Sequence, residues 1–290
     1  EISACLVGSE MCIRDSLTAM AMYMMREYRS DVLPNRNQGY SGRVTYDYAS
    51  KYLVEFNFGY NGSERLAAGQ RFEFFPAVSA GWVASSEKFW EPISKYINHF
   101  KIRGSYGLVG SDAFASGAPH FLYQNNIGIG SAHKFWTGLP TSEISKQGPG
   151  FYVLAVQDAG WEHVKKFDIG FDMMLFDQLN ITFDYFHDKR ERILMSRASW
   201  PSMLGYWGSK PWSNIGEVEN QGFELSLNWT KQFGKDLTLD LRGNFTYNQN
   251  EYKYVDEPNY PYVWQTNTGK PLNTVKGCLL YTSPSPRDRQ

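Results

Sequence analysis

Four aromatic rings, Trp200, Tyr206, Trp207 and Trp212, crowd into the stretch SRASWPSMLGYWGSKPWSN, where Gly, Pro and Ser leave little from which a core could be built. Flat apolar faces held on such a segment can stack on sugar rings or peptide side chains, and an indole N–H adds a hydrogen-bond donor. The same rings could instead pack against neighbouring loops, and their spacing does not choose between the two roles. If they bind ligand, replacing Trp207 and Trp212 by Ala weakens its capture. A second concentration of polar chemistry, DYFHDKRER, puts Asp184, His187, Asp188 and Glu191 in one short run. It resembles a metal or acid/base cluster, but it closes an alternating segment and reads more simply as a hydrated rim. The histidines, His99, His120, His133, His163 and His187, are scattered, with no pair at helical metal-binding spacing. The glycines of RGSYGLVG are not followed by the Lys-Ser/Thr that a phosphate loop requires. Carboxylates are plentiful, yet no motif pins a glycosidase pair. We therefore expect no catalytic residue, no metal site and no cofactor.

The two ends differ in kind from the middle. Back-translation of Ser3 to Ser16 yields a DNA word whose reverse complement, in a shifted frame, encodes CLLYTSPSPRDRQ, the sequence Cys278 to Gln290. Natural termini have no reason to be encoded by opposite strands of one word, whereas a read with one adapter at each end does. Residues 1–16 and 277–290 are accordingly expected to be translated adapter and are set aside from fold reasoning. All three cysteines, Cys5, Cys12 and Cys278, fall in these ends, so the middle offers neither a disulfide framework nor a thiol nucleophile. The ends carry Glu1, Glu10 and Asp15 against Arg14, and Arg287 and Arg289 against Asp288; the chain's formal charge of −1 thus leaves a neutral middle. Neutrality without Lys/Arg clusters argues against nucleic acid as a partner.

The positioning elements are strands. No apolar run approaches the roughly 20 residues of a membrane helix, and the mean hydropathy is −0.46. Aromatics nevertheless make up 16% of the chain and recur at every second residue. In KKFDIGFDMMLF, Phe167, Ile169, Phe171, Met173 and Leu175 point one way, and Asp168, Gly170 and Asp172 the other. The same period predicts about nine strands, over 17–30, 39–49, 51–62, 71–85, 98–109, 161–176, 179–191, 220–232 and 236–252. Several exceed the ordinary soluble length of about 5 to 6 residues. Tight turns (ASK, DQ, FGK) alternate with longer connections (31–38, 63–70, 110–160 and 192–219). Short turns on one side and long loops on the other are the pattern of an outer-membrane barrel. SSEKFWEPISKYINHF, on the short-turn side, reads as a helical turn with Ser86 as its cap. Tyr60, Trp82, Trp161 and Trp229 are placed to form interfacial girdles, and Gly222 to admit the chain from a loop into the wall. The expected fold is all-β, a partial transmembrane antiparallel β-barrel with open edges.

Five ordered motifs sharpen this. NQGYSGRVTYDYASKYLVEFNFGYNGSE, FFPAVSAGW, KIRGSYGLVGSD, AGWEHVKKFDIGFDMMLFDQLNITFDYFHDKRERIL and NIGEVENQGFELSL together resemble SusC/RagA-type TonB-dependent transporters of Bacteroidetes-like outer membranes. Gly110–Asp112 departs from the Gly-Asn common in that family. The resemblance implies a 22-stranded barrel around an amino-terminal plug, an SusD-like lipoprotein lid, and energy from TonB through the plug. It also implies a glycan, peptide or other large nutrient as cargo and outer-membrane lipid around the wall. The plug and the closing strands lie outside residues 17–276, which are expected to be a section of the receptor barrel. Two other readings remain: a soluble secreted β-sandwich that binds or hydrolyses carbohydrate, and a passive porin or adhesin. In the sandwich, Phe167, Phe171, Leu225 and Leu239 would be enclosed between stacked sheets.

Overall fold

The computed structural model describes residues 2–11, 15–29, 34–114, 118–130, 134–137, 144–201, 203, 210–234 and 237–276. Fourteen strands are present among them: β1 (Ile2–Met11), β2 (Asp15–Tyr28), β3 (Asn35–Tyr48), β4 (Tyr52–Ser63), β5 (Phe72–Val83), β6 (Ile97–Ser111), β7 (Asn126–Gly128), β8 (Lys134–Thr137), β9 (Ile144–Gln147), β10 (Gly150–Val153), β11 (Glu162–Leu175), β12 (Leu179–Ser196), β13 (Trp212–Phe233) and β14 (Leu237–Tyr254). Ten of them form one sheet in the order β1-β2-β3-β4-β5-β6-β11-β12-β13-β14, with every neighbouring pair antiparallel. Nine are the strands expected from the alternation. The tenth, β1, lies wholly within the stretch set aside as adapter and pairs with β2.

Register puts the two faces of every strand into two continuous surfaces. Phe167, Ile169, Phe171 and Met173 on β11 stand opposite Tyr106, Gly104, Ile102 and Phe100 on β6, and opposite His187, Tyr185, Phe183 and Ile181 on β12. The apolar row continues through Leu225 and Phe223 of β13 to Phe245 and Tyr247 of β14. A chain of rings crosses five strands: Phe100, Phe171, Phe183, Phe223 and Phe245, with successive centroids 6.0, 5.6, 6.2 and 5.7 Å apart. Such cross-strand contacts are the unit of sheet stabilisation. Among the described residues no second sheet lies over this face, and Phe167 and Leu239 are each 39% exposed. Phe171 and Leu225 are also only partly covered, so the four residues named for the sandwich are not enclosed. From Leu175 to Phe167 the apolar face runs eight residue steps. At about 3.4 Å per residue and a tilt near 40° it rises roughly 21 Å, close to the apolar band of a membrane barrel.

Tight hairpins close one end. Ala49 and Ser50, and Phe176 and Asp177, all have φ near +54°, the paired positive φ of the central residues of β-turns closed by Lys51 N to Tyr48 O and Gln178 N to Leu175 O (both 3.0 Å). The cost at non-glycine residues is offset locally: Ser50 N donates to Asp47 Oδ1 (2.7 Å) and Asp177 N to Asn98 Oδ1 (2.9 Å). The β5–β6 connection at this end is two short 3-10 turns, Ala84–Ser86 and Lys88–Trp90, without a side-chain cap, so Ser86 does not play the role expected of it. The segment is instead pinned by Trp90, which stacks on Phe100 (5.3 Å, 6°) and donates Nε1–H to Ile97 O (3.0 Å). It is also held by Glu87, which accepts from Lys51 (3.0 Å) and Tyr52 (2.9 Å). Those two hydrogen bonds keep the Glu87 carboxyl below its ordinary pKa.

The long connections occupy the opposite end, where both clusters of buried apolar residues lie. β5 leaves β6 after Ala77 pairs with Gly107, because Pro76 has no N–H to extend the ladder. The opened seam is filled by Leu66, Phe75 and Trp161, backed by Leu108 and Phe114. Trp161 is only 4% exposed and donates Nε1–H to Arg71 O (2.9 Å), so it packs here instead of standing in an interfacial girdle. A side chain at Gly110 would lie within 2.0 Å of the Phe75 ring, which explains that glycine. A second cluster, Leu122, Val156, Ala159 and Leu194 with Trp212 against it, roots the β6–β11 connection. That connection holds two small hairpins, β7 with β10 and β8 with β9, where the sequence suggested only loop.

Candidate functional site

Opposite the apolar face, the same strands present a polar wall. Arg103 on β6 faces Gly170 on β11, which in turn faces Asp184 on β12. A side chain at position 170 would come within 2.0 Å of Asp184 Oδ1. Its absence lets the guanidinium reach over a whole strand: Arg103 contacts Asp184 at 2.7 Å, Asp172 at 3.4 Å and Asp168 at 3.9 Å. Lys166 meets Asp188 at 3.5 Å on the same face, and Arg43 pairs with Glu55. Between these banks the β5 side chains are small, leaving a depression of about 350 Å³ edged by Glu55, Ser79, Gly81, Lys101, Arg103 and Asp168. A water-filled interior suits this wall; a dry core would leave its charges unsolvated. Gly222 also faces this way, in mid-strand and not at a loop boundary. Its missing side chain makes room for the Phe186 ring and Tyr247 O.

The apparent acidic cluster of DYFHDKRER is divided by the strand period. Asp184 and Asp188 face the polar wall, while His187 and Glu191 lie on the other face, His187 level with Phe167 at the edge of the aromatic rows and Glu191 beyond them. There the outer face changes abruptly from rings to charges. Lys165 and Lys189 both reach Glu191 (2.5 and 2.7 Å), His187 meets Glu219 (2.5 Å), and Lys253 bridges Glu219 and Glu251 (2.9 and 3.4 Å). This belt marks where the hydrocarbon layer ends. No group of three or more metal-ligating side chains occurs among the described residues.

The aromatic stretch after β12 is only partly described: Tyr206 and Trp207 lie outside the described residues. Trp212 is the first residue of β13, half-buried against the Leu122 cluster. β13 begins there, eight residues before the expected start, because the portion above the membrane needs no apolar alternation to be a strand. Trp200 sits in a turn whose flanks are fixed by Asp256, a residue the motifs gave no reason to select. Asp256 is 6% exposed and accepts from Ser199 N (3.0 Å), Ser199 Oγ (2.8 Å) and Arg197 Nε (3.3 Å). Burial alone would raise its pKa; the Ser199 and Arg197 contacts outweigh that and hold the carboxyl below its ordinary value. Asp256 thereby ties the connection after β12 to the one after β14. Asn214 makes a similar clip, accepting from Gly160 N (3.2 Å) and donating to Gly160 O and Arg192 O (3.1 and 2.8 Å).

The whole arrangement, a lipid-facing aromatic band, a charged inner wall, tight turns below and anchored loops above, can be set beside known proteins. Residues 23–287 match the family described as TonB dependent receptor-like, beta-barrel. The chain belongs to that family. As a TonB-dependent receptor barrel it is an outer-membrane protein, with its long loops extracellular. It is 31% identical over 211 residues to TonB-dependent receptor P3 of Formosa agariphila, an alignment covering 72% of this chain and 20% of that protein. It is 26% identical over 239 residues to TonB-dependent receptor SusC of Bacteroides thetaiotaomicron, covering 78% and 22% respectively. The chain thus spans about a fifth of the length of the curated relatives it matches. Among solved structures, the RagAB peptide importer in its closed-closed state superposes with a TM-score of 0.67 at 17% identity, covering 86% of this chain and 29% of that one. The siderophore receptor PirA from Pseudomonas aeruginosa gives 0.53 at 13% identity, covering 87% and 42%. These likenesses show the fold.

Proposed function

We propose that this chain is a wall section of a TonB-dependent nutrient importer of the SusC/RagA type, moving oligosaccharides or other large nutrients across the outer membrane. The observation that carries the reading is the pairing of one uninterrupted apolar face with a charged opposite face across the sheet, beneath loops anchored at one end only. A soluble sandwich would need a second large sheet over that apolar face, and none is present among the described residues. In the importer reading the full-length receptor works with an SusD-like lipoprotein that captures cargo and with TonB, which supplies energy through a plug. The family resemblance of the motifs and the RagAB-like fold support both partners. We assign the chain no catalysis and no cofactor. We place Trp200, Tyr206, Trp207 and Trp212 in the ligand-facing set, of which Trp212 also packs against the Leu122 cluster. Residues 1–16 and 277–290 are translated adapter, which resequencing the source locus tests directly.

Deleting the full-length gene tests the function. Uptake of a labelled oligosaccharide or peptide mixture should be lost and should return with the wild-type gene, but not with one lacking the TonB-contacting segment. Uptake that persists without the TonB contact would point to a passive porin. Recovery of the receptor in the soluble fraction without detergent would return the sandwich reading.

A further inference from the structure

A cleft of about 470 Å³ opens on the lipid-facing side of β2–β5, at the loop end of the sheet. Register explains its floor. The row Tyr23, Tyr40, Tyr60 and Phe74 crosses four paired strands, and the next row toward the loops is Met25, Gln38, Gly62 and Phe72. Tyr23 and Tyr40 lie 4.9 Å apart, and Phe72 leans back to stack on Tyr60 (5.3 Å, 23°). Gly62 permits that lean, since a side chain there would come within 2.4 Å of the Phe72 ring. One step further the wall turns charged: Glu27 stands opposite Arg36, and Glu64 and Arg71 follow on the connection between β4 and β5. The surface thus passes from rings through a mixed row to charges, the order in which a lipid passes from acyl chain to headgroup. β3, β4 and β5 each have both strand neighbours, so further strands join the sheet at its edges and leave this face toward the membrane.

The cations of the cleft are fixed in place without being neutralised by what fixes them. Arg36 N donates to Glu64 Oε1 (3.1 Å) and Arg36 O accepts from Glu64 N (3.3 Å). Arg71 O accepts from Ser63 N (3.2 Å) and from Trp161 Nε1 (2.9 Å). Each guanidinium spends its Nε, Arg36 on Glu27 Oε2 (3.1 Å) and Arg71 on Leu66 O (3.1 Å). Hydrogen bonds among the described residues use none of their terminal nitrogens. In the belt on β11–β14, by contrast, Lys165, Lys189 and Lys253 each meet a carboxylate at 2.5 to 2.9 Å. Arg26 adds a third cation to the lining against two carboxylates, Glu27 and Glu64, which leaves the cleft net positive.

We propose that this cleft binds an outer-leaflet lipid that carries a phosphomonoester headgroup, with the terminal nitrogens of Arg36 and Arg71 on the phosphate and an acyl chain along the Tyr60 and Phe72 rings. A guanidinium fork matches phosphate oxygens in pairs, and basic pockets beside an apolar surface are where lipid headgroups are held. The position selects a lipid: the loop end is extracellular, the floor is the top of the apolar band, and a soluble anion would leave the ring-lined half of the cleft unfilled. The charge selects a phosphomonoester, because a zwitterionic headgroup would bring its own ammonium to a net-positive lining. The site goes beyond the importer reading, since it needs the barrel in its membrane and no particular cargo.

Native mass spectrometry of the full-length receptor in detergent, titrated with diphosphoryl lipid A, tests this; dephosphorylated lipid A, phosphatidylethanolamine and inorganic phosphate are the comparison probes. The expected result is that diphosphoryl lipid A binds about tenfold or more tightly than either other lipid, and that Arg36→Gln weakens it about tenfold and Arg36→Gln with Arg71→Gln further. Arg36→Gln leaves both backbone contacts to Glu64 in place, so the test survives if the double variant fails to give a heat-modifiable band. Diphosphoryl lipid A affinity unchanged by Arg36→Gln would overturn the site. Equal binding of the dephosphorylated lipid would overturn the phosphate reading, and displacement of lipid A by an equal concentration of inorganic phosphate would overturn the lipid occupant. Each of these outcomes leaves the importer reading standing, which the gene deletion decides separately.

Discussion

Gly170 shows how one absent side chain can organise an inner wall. Arg103 reaches Asp184 only because nothing projects from the strand between them. Gly170→Ala should displace Asp184 and cost the full-length receptor about 1–3 kcal/mol, as overpacking usually does, read as a lower denaturant midpoint. Asp256 acts at the same scale but outside the membrane. Its carboxyl pKa is depressed in the fold, so the latch is fully formed above the ordinary carboxylate range and is lost as pH falls through the lower folded value. A spin label at Met203, which is 91% exposed, should keep the same mobility from about pH 8 to 5 and loosen only below about pH 4. Asp256→Asn should loosen it throughout, since hydrogen bonds to a charged group contribute about 1.5–3 kcal/mol. The alternation in the sequence placed Asp168, Asp172 and Arg103 on strands. It could not show that they meet, because β6 and β11 are separated in the chain by a long connection and are brought side by side only by sheet pairing.

The hairpins and strand ends decide register at the element scale. Ala49 and Ser50 occupy a turn that demands positive φ at both positions, where Asn-Gly is the unstrained choice. Replacing the pair by Asn-Gly should raise stability by about 1 kcal/mol or more, visible as a higher urea midpoint of the refolded receptor. The strand cores were legible because lipid on one side and water on the other impose a period of two. The upper part of β13 was not, since above the bilayer both faces meet water and Glu217 and Glu219 carry no apolar signal. The small hairpins β7–β10 and β8–β9 were missed for the same reason, being too short for periodicity to register.

Across the whole molecule the two faces should respond oppositely to one substitution. Phe171→Arg, in the middle of the lipid-facing ring chain, should cost about 2–4 kcal/mol, whereas Ser226→Arg on the polar wall should be nearly neutral; folding titrations of the full-length receptor into lipid vesicles distinguish them. The sheet's two edges, β1 and β14, also set the behaviour of these 290 residues in isolation. Unpaired edge groups are costly in hydrocarbon and adhesive in water, so the isolated chain should aggregate and show no heat-resistant band on a cold-sample gel. A monodisperse, heat-modifiable barrel from this chain alone would contradict the expectation.

The sequence by itself determined which residues meet lipid and which meet water, because that choice is local: it follows from each side chain and from the alternation of neighbours along one strand. It also carried the motifs that mark the family. Only the tertiary structure decided what those residues do together. It split Asp184 from His187 across a strand, drew Trp161 from an expected girdle into a packed seam, and moved Trp212 from the loop into a strand. It brought Arg36 and Arg71 to one cleft. Each of these depends on partners distant in sequence, whose positions are set by register and loop anchoring, and no local pattern encodes them.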